Sequence, residues 1–129
     1  MNNYAIVRQE HLNHYGFLFG GALLQWVDEY AWLVASLDFP GCPLVTVGMD
    51  QISFRRPVAN GSILRFNIQP IKRGKSSVQY TVDVDTMLDV GQHFTQSPNE
   101  VLKVEPALEA LNKFPEELGT IDALLADTV

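Results

Sequence analysis

The chain has 129 residues, 47% of them apolar and 19% charged, which suffices for one domain with a sizeable core and excludes disorder or a collagen-like repeat. Its single cysteine, Cys42, excludes an intrachain disulfide and fits a reducing, cytoplasmic setting. The net charge of -6 is unevenly spread: six of the nine Lys and Arg lie between Arg55 and Lys75, no acid occurs from Gln51 to Val82, and residues 83–129 carry ten of the fifteen acids. A generally acidic chain with one concentrated basic stretch argues against nucleic-acid binding and leaves room for a small phosphorylated ligand.

In chain order, Tyr4 to Gln9 is short and rich in apolar residues and reads as a strand. HLNHYGFLFGG, with Gly16, Gly20 and Gly21, reads as a loop. From Gly21 to Leu37 apolar residues cover nearly the whole circumference of a helix, the pattern of a buried one. Asp28 and Glu29 interrupt it, so it is not read as a membrane span, and no basic stretch with an apolar run marks a signal peptide. Phe39-Pro40-Gly41-Cys42-Pro43 ends the helix. Leu44 to Phe54 and Ser62 to Gln69 read as strands, with turns at Pro57 to Gly61 and Lys72 to Lys75. Ser76 to Thr86 alternates Val78, Tyr80, Val82 and Val84 against polar residues, a half-buried antiparallel strand. Val101 to Val104 could close the sheet, while Pro98 interrupts any strand from His93. Ala107 to Phe114 and Glu116 to Ala126 read as short amphipathic helices with acidic faces. The expected organisation is therefore a domain over 1–104 and an acidic, helical extension over 105–129, in an α+β fold whose antiparallel sheet wraps one central helix.

Two adjacent carboxylates in a buried helix need an explanation, because ionised groups are costly in apolar surroundings. Asp28 shares its face with Leu24, Gln25 and Trp32, where desolvation would raise its pKa and suit it to act as general base or nucleophile. The plainer alternative is an ordinary pair on a helix stripe at an oligomer interface. Gly20-Gly21 at the helix start would let a ligand carbonyl approach unsatisfied N–H groups at the positive end of the helix dipole. Asn13 either orients a reacting group or forms a turn. The basic stretch either recognises phosphate or is a solvated edge.

His11-Leu12-Asn13-His14-Tyr15-Gly16-Phe17-Leu18-Phe19-Gly20-Gly21, followed by Trp26-Val27-Asp28-Glu29, strongly resembles the loop and central helix of hotdog-fold acyl-CoA thioesterases. The match continues through Val45-Thr46-Val47, Asp50, Phe54-Arg55-Arg56-Pro57-Val58 with Gly61, and Gly74-Lys75-Ser76-Ser77, covering about residues 5–86. The resemblance implies an enzyme that hydrolyses acyl-CoA without a metal or redox cofactor. Asp28 would activate water or attack the thioester, Asn13 would position the reacting group, and the N–H of Gly20 or Gly21 would bind the thioester oxygen. It implies a homodimer or a larger assembly of dimers, Asn13 of one subunit facing Asp28 of the other. Arg55, Arg56, Arg73, Gly74, Lys75, Ser76 and Ser77 would receive the phosphates or pantetheine of coenzyme A. The segment from His93 to Val104 departs from the family's last strand, and the acidic tail has no aligned counterpart.

Two rival readings stand beside this one. A hydratase or dehydratase on the same fold would pair His14 with Asp28, but the Pro-Gly residues usual around that histidine are missing. A non-catalytic acyl-CoA binding module would have no need of Asn13 and Asp28 together. His11 and His14 lack metal-ligand spacing, and Cys42 and Ser76-Ser77 lack the surroundings of a nucleophile.

Overall fold

The computed structural model describes residues 1–87 and 100–111. In chain order these form β1 (Asn2–Ile6), a single 3-10 turn (Gln9–His11), α1 (Gly20–Asp38), β2 (Leu44–Phe54), β3 (Ile63–Arg73), β4 (Ser77–Thr86) and β5 (Glu100–Ala110). The strands make one antiparallel sheet in the order β1-β3-β4-β5-β2, so β1 and β2 are its edges.

Period-two patterning decides which face meets the helix. Leu64, Phe66 and Ile68 of β3, Val78, Tyr80, Val82 and Val84 of β4, and Leu102, Val104 and Leu108 of β5 are buried. From α1 the stripe Leu23, Val27, Ala31, Val34 and Ala35 is buried against them. That spacing of three and four residues is one face of a helix. The rings of Trp26 and Tyr30 meet Phe66 edge-on, at centroid distances of 6.2 and 4.9 Å.

Two expectations are corrected. The all-round apolar helix is covered on one side only: Trp32, Leu33 and Leu37 on the far side are 42%, 41% and 65% exposed in the single chain. A sheet wraps one side of a helix, and the chain has no second layer among the described residues to cover the other. The expected boundary after Val104 falls inside β5, and residues 107–110 are strand, not helix. The helix propensity of Ala, Leu and Glu is overridden by pairing on both sides, Leu108 opposite Thr46 of β2 and Val78 of β4. Pro106 has no N–H to give, and the β4–β5 pairs accordingly step from Gln79↔Ala107 to Val82↔Val104. The rest of the expected extension, 112–129, and the segment from His93 through Pro98 lie outside the described residues. No described helix is long and apolar enough to cross a membrane.

Candidate active site

The two ends of α1 lie at opposite ends of the sheet, because α1 runs antiparallel to the strand that follows it. Its N-terminus meets Phe54 at the end of β2, whereas the Trp32 indole N–H donates to the Leu44 carbonyl at the start of β2, 3.1 Å away.

The loop before the helix is tightly built. Gly16 (φ +85°) closes a turn by donating its N–H to the Asn13 carbonyl at 3.0 Å, and the Asn13 N–H donates to Phe17 at 2.7 Å. The Asn13 side-chain oxygen accepts from the N–H of Tyr15 at 2.9 Å and of Phe17 at 3.2 Å. Asn13 thus forms the turn, and its amide NH₂ is the part left for other work. Two further backbone bonds set the helix entry, from Leu18 N–H to Val58 O and from Phe19 N–H to His11 O, both 2.8 Å.

Phe19 occupies the N-cap and offers no side-chain acceptor to the first turn. The first bond of the helix runs from Leu23 N–H to Phe19 O at 3.1 Å, so the N–H groups of Gly20, Gly21 and Ala22 have no acceptor within the helix. Serine, threonine or aspartate usually fills this position, and here phenylalanine and two glycines leave the donors open. A Cβ on Gly21 would lie 2.6 Å from Phe19 Cε1, and one on Gly20 3.5 Å from Phe54 Cζ. Any side chain at 21 would therefore displace the exposed Phe19 ring, which lies against the first turn.

Asp28 is half-buried and its Oδ1 accepts a hydrogen bond from the Thr46 hydroxyl at 2.5 Å. Thr46 stands immediately before a bulge in β2, where Thr46 and Gly48 pair with the consecutive residues Leu108 and Ala107 and Val47 is extra. Glu29 is exposed, so the two adjacent carboxylates occupy different environments. Thr46 belonged to the matching sequence run but carried no role there, because nothing local in the sequence says that it reaches Asp28 eighteen residues earlier.

The basic residues are divided. Arg55 and Arg56 follow β2 at the helix N-terminal end, both exposed, with Arg55 Nε 4.0 Å from Glu100. Arg73, Gly74, Lys75, Ser76 and Ser77 form the β3–β4 turn at the other end, where the Gly74 N–H donates to Ser77 O at 2.8 Å. Strand registers align Phe54 with Leu102, Val84 and Phe66, and Arg73 lies seven residues farther along β3, about 23 Å at strand spacing. One chain therefore does not gather this set around one phosphate. The Arg73 guanidinium lies 5.6 Å from the centroid of the Phe39 ring.

His14 is exposed on the loop with its ring 4.0 Å from that of Tyr15, and the His11 ring packs edge-on against Trp26 at 4.6 Å. Among the described residues no group of three or more His, Cys, Asp and Glu is placed to hold a metal ion. On the solvent face of the sheet, Arg65, Asn67, Asp83, Asp85, Glu100 and Lys103 line a polar groove of about 320 Å³. Burial pushes the Asp83 carboxyl above its usual range; Lys103 opposes this, while Glu100 and Asp85 add to it.

Residues 15–86 match the model of the thioesterase superfamily. The chain is 35% identical over 74 residues to mouse acyl-coenzyme A thioesterase 11, a match covering 57% of this chain and 12% of that protein. It spans between 12% and 55% of the lengths of the curated relatives it matches. Among solved structures, a hexameric hotdog-fold thioesterase of Campylobacter jejuni superposes with a TM-score of 0.80 at 24% identity, covering 94% of each chain. An acyl-CoA hydrolase from Staphylococcus aureus, in complex with butyryl coenzyme A and coenzyme A, superposes at 0.78 with 22% identity, over 99% of this chain and 80% of that one. The fold is the hotdog fold.

Proposed function

The chain belongs to the thioesterase superfamily, and on that premise we propose that it hydrolyses an acyl-CoA thioester to a free acid and coenzyme A at a site shared by two copies of the chain. The observation that carries the shared site is a distance along one helix. Gly21 and Asp28 lie on the same face, seven residues apart, a separation of about 10 Å along the axis. A thioester oxygen accepting from the Gly21 N–H sits about 3 Å from it. A carboxylate activating the attacking water must in turn lie within about one water of the same carbonyl carbon. Even with side chains tilted toward the helix N-terminus, one chain does not supply both groups to one carbonyl. A two-fold arrangement, in which Asp28 of one copy faces the first turn of the other, satisfies both.

In this reading Asp28 takes a proton from water, with Thr46 fixing its orientation, as the oxygen of that water bonds to the carbonyl carbon. The N–H groups of Gly20 and Gly21 hold the oxyanion that develops. Its collapse breaks the C–S bond, and the thiolate leaves with the proton held by Asp28. Asn13, through its amide NH₂, would orient the water or the carbonyl. The same two-fold relation makes sense of the divided basic residues, because an antiparallel pair of chains brings the Arg55-Arg56 end of one toward the Arg73 to Ser77 end of the other. These residues would bind the phosphates and pantetheine of coenzyme A. The exposed Trp32, Leu33 and Leu37, with Val45 and Val47 on the edge strand β2, give such a partner apolar surface to cover. The relatives described as hexameric and the complex with coenzyme A support the same reading.

The test is complementation. Asp28→Ala and Gly21→Val should each lower thiol release from acyl-CoA by about 10²-fold or more. Co-expressed, they should recover roughly a quarter of the parental rate, since half the dimers are mixed and each mixed dimer holds one intact site. No recovery from mixed dimers demonstrably formed would place both groups in one chain and overturn the shared site.

A further inference from the structure

We propose that Phe54 selects the acyl group, admitting chains that are straight next to the thioester and excluding those branched there. The inference rests on the reading that the first turn of α1 receives the thioester oxygen. Phe54 is the last residue of β2, and its ring comes within 3.5 Å (Cζ) and 3.7 Å (Cε1) of the position a Cβ on Gly20 would take. The ring therefore stands beside the first turn, at ordinary van der Waals distance from where a side chain at position 20 would begin. It is nevertheless 51% exposed, and so is not merely part of the core. Phe19 occupies the corresponding place beside Gly21 and is 57% exposed. A carbonyl bound between them presents its next carbon to these rings, because the oxygen lies about 3 Å from the amide nitrogen and the carbonyl carbon only about 1.2 Å beyond.

Of the two rings, Phe54 is the one free to set specificity. Phe19 is tied to the helix start: it is the N-cap, its carbonyl accepts the first helical bond, and its ring fills the place a side chain at 21 would take. Phe54 comes from a separate strand and would meet even an added Cβ at position 20 only at ordinary van der Waals distance, so its size can change without altering the helix start. An apolar wall of fixed size discriminates between substrates differing by one methyl group by about tenfold or more.

The experiment compares butyryl-CoA with isobutyryl-CoA, which differ in branching at the carbon next to the carbonyl, in the parent and in Phe54→Ala, Phe54→Leu and Phe54→Trp. Phe54→Ala is expected to lower the ratio of kcat/KM for the straight over the branched substrate by about tenfold, Phe54→Leu by less, and Phe54→Trp to raise it. Phe54→Leu keeps an apolar residue at the strand end and carries the test should the alanine variant not fold. If all folded variants change both substrates by one common factor, Phe54 has a structural role and this proposal fails while the hydrolase reading stands. If the parent releases thiol from neither substrate nor from any longer acyl-CoA, the hydrolase reading fails and this proposal with it.

Discussion

The two ends of α1 are built on opposite principles. The C-terminal end is held by specific contacts: the buried Tyr80 hydroxyl donates to the Asp38 carboxylate at 2.7 Å, the Phe39 N–H donates to Ala35 O at 2.8 Å, and the Phe39 ring is fully buried with the Arg73 guanidinium over it. Burial, then the hydrogen bond and charge of Asp38, push the Tyr80 hydroxyl far above the usual phenol range, so it stays a donor at every physiological pH. At the N-terminal end Gly20, Gly21 and Ala22 keep open donors, and Phe19 and Phe54 keep half their surface exposed. One helix thus carries its anchor at one end and its unmet binding capacity at the other. Stability and activity should separate along it.

That separation can be broken or sharpened by substitution. The largest effect is expected from Asp28→Ala, a loss of thiol release of about 10³-fold with circular dichroism unchanged, the scale of a missing general base. Gly21→Val, whose side chain would push aside the Phe19 ring and crowd the open donors, should cost about 10²-fold in kcat, as loss of an oxyanion contact does. At the closed end Tyr80→Phe should do the reverse. It should cost about 2 kcal/mol in urea unfolding, the scale of a lost hydrogen bond to a charged partner, and leave kcat per folded molecule unchanged. A fall in kcat with Tyr80→Phe would erase the distinction between the two ends. Thr46→Val, removing the hydroxyl that orients Asp28, should lower kcat about tenfold with little change in KM.

The smallest effect lies off the helix, in the groove on the outer face of the sheet. Asp83 is held above its ordinary pKa by burial, against Lys103 and with Glu100 and Asp85, while Arg65 pairs with Asp85 at 3.1 Å. A carboxyl whose folded pKa is raised binds protons more readily in the native state, so its contribution to stability falls as pH rises through that pKa. Asp83→Asn should therefore raise Tm slightly at pH 7, and the difference should shrink toward about pH 4. A Tm lowered by Asp83→Asn at pH 7 would show that the charge pair with Lys103 outweighs burial.

Most of the elements could be read from the chain. Leu44 to Phe54 is β2 to the residue, α1 differs from expectation by one residue at each end, and β4 by one at its start. Long apolar patterns bounded by Pro or Gly carry their own boundaries. The exceptions are β1, which lies two to three residues earlier than expected, β3, which runs on to Arg73 into the expected turn, and β5, where alternation of Leu102, Val104, Pro106, Leu108 and Ala110 is present in the sequence but a proline and a helix-favouring composition obscure it. Within the candidate site, Asp28, Gly20 and Gly21 were marked because a carboxylate in an apolar helix and glycines at a helix start are unusual where they stand. Thr46 and Phe54 looked like ordinary strand residues, and their significance lies in what they touch.

By itself the sequence determined one apolar helix against an antiparallel sheet, the charge division and the residues with unusual chemistry, because these follow from composition and local periodicity. The tertiary structure alone decided that Arg55 and Arg73 stand at opposite ends, that Thr46 meets Asp28, and that one side of the apolar helix is left uncovered by the described residues. Each of these depends on strand register and on which side of the helix the sheet embraces, and both are set by packing between residues far apart in the chain.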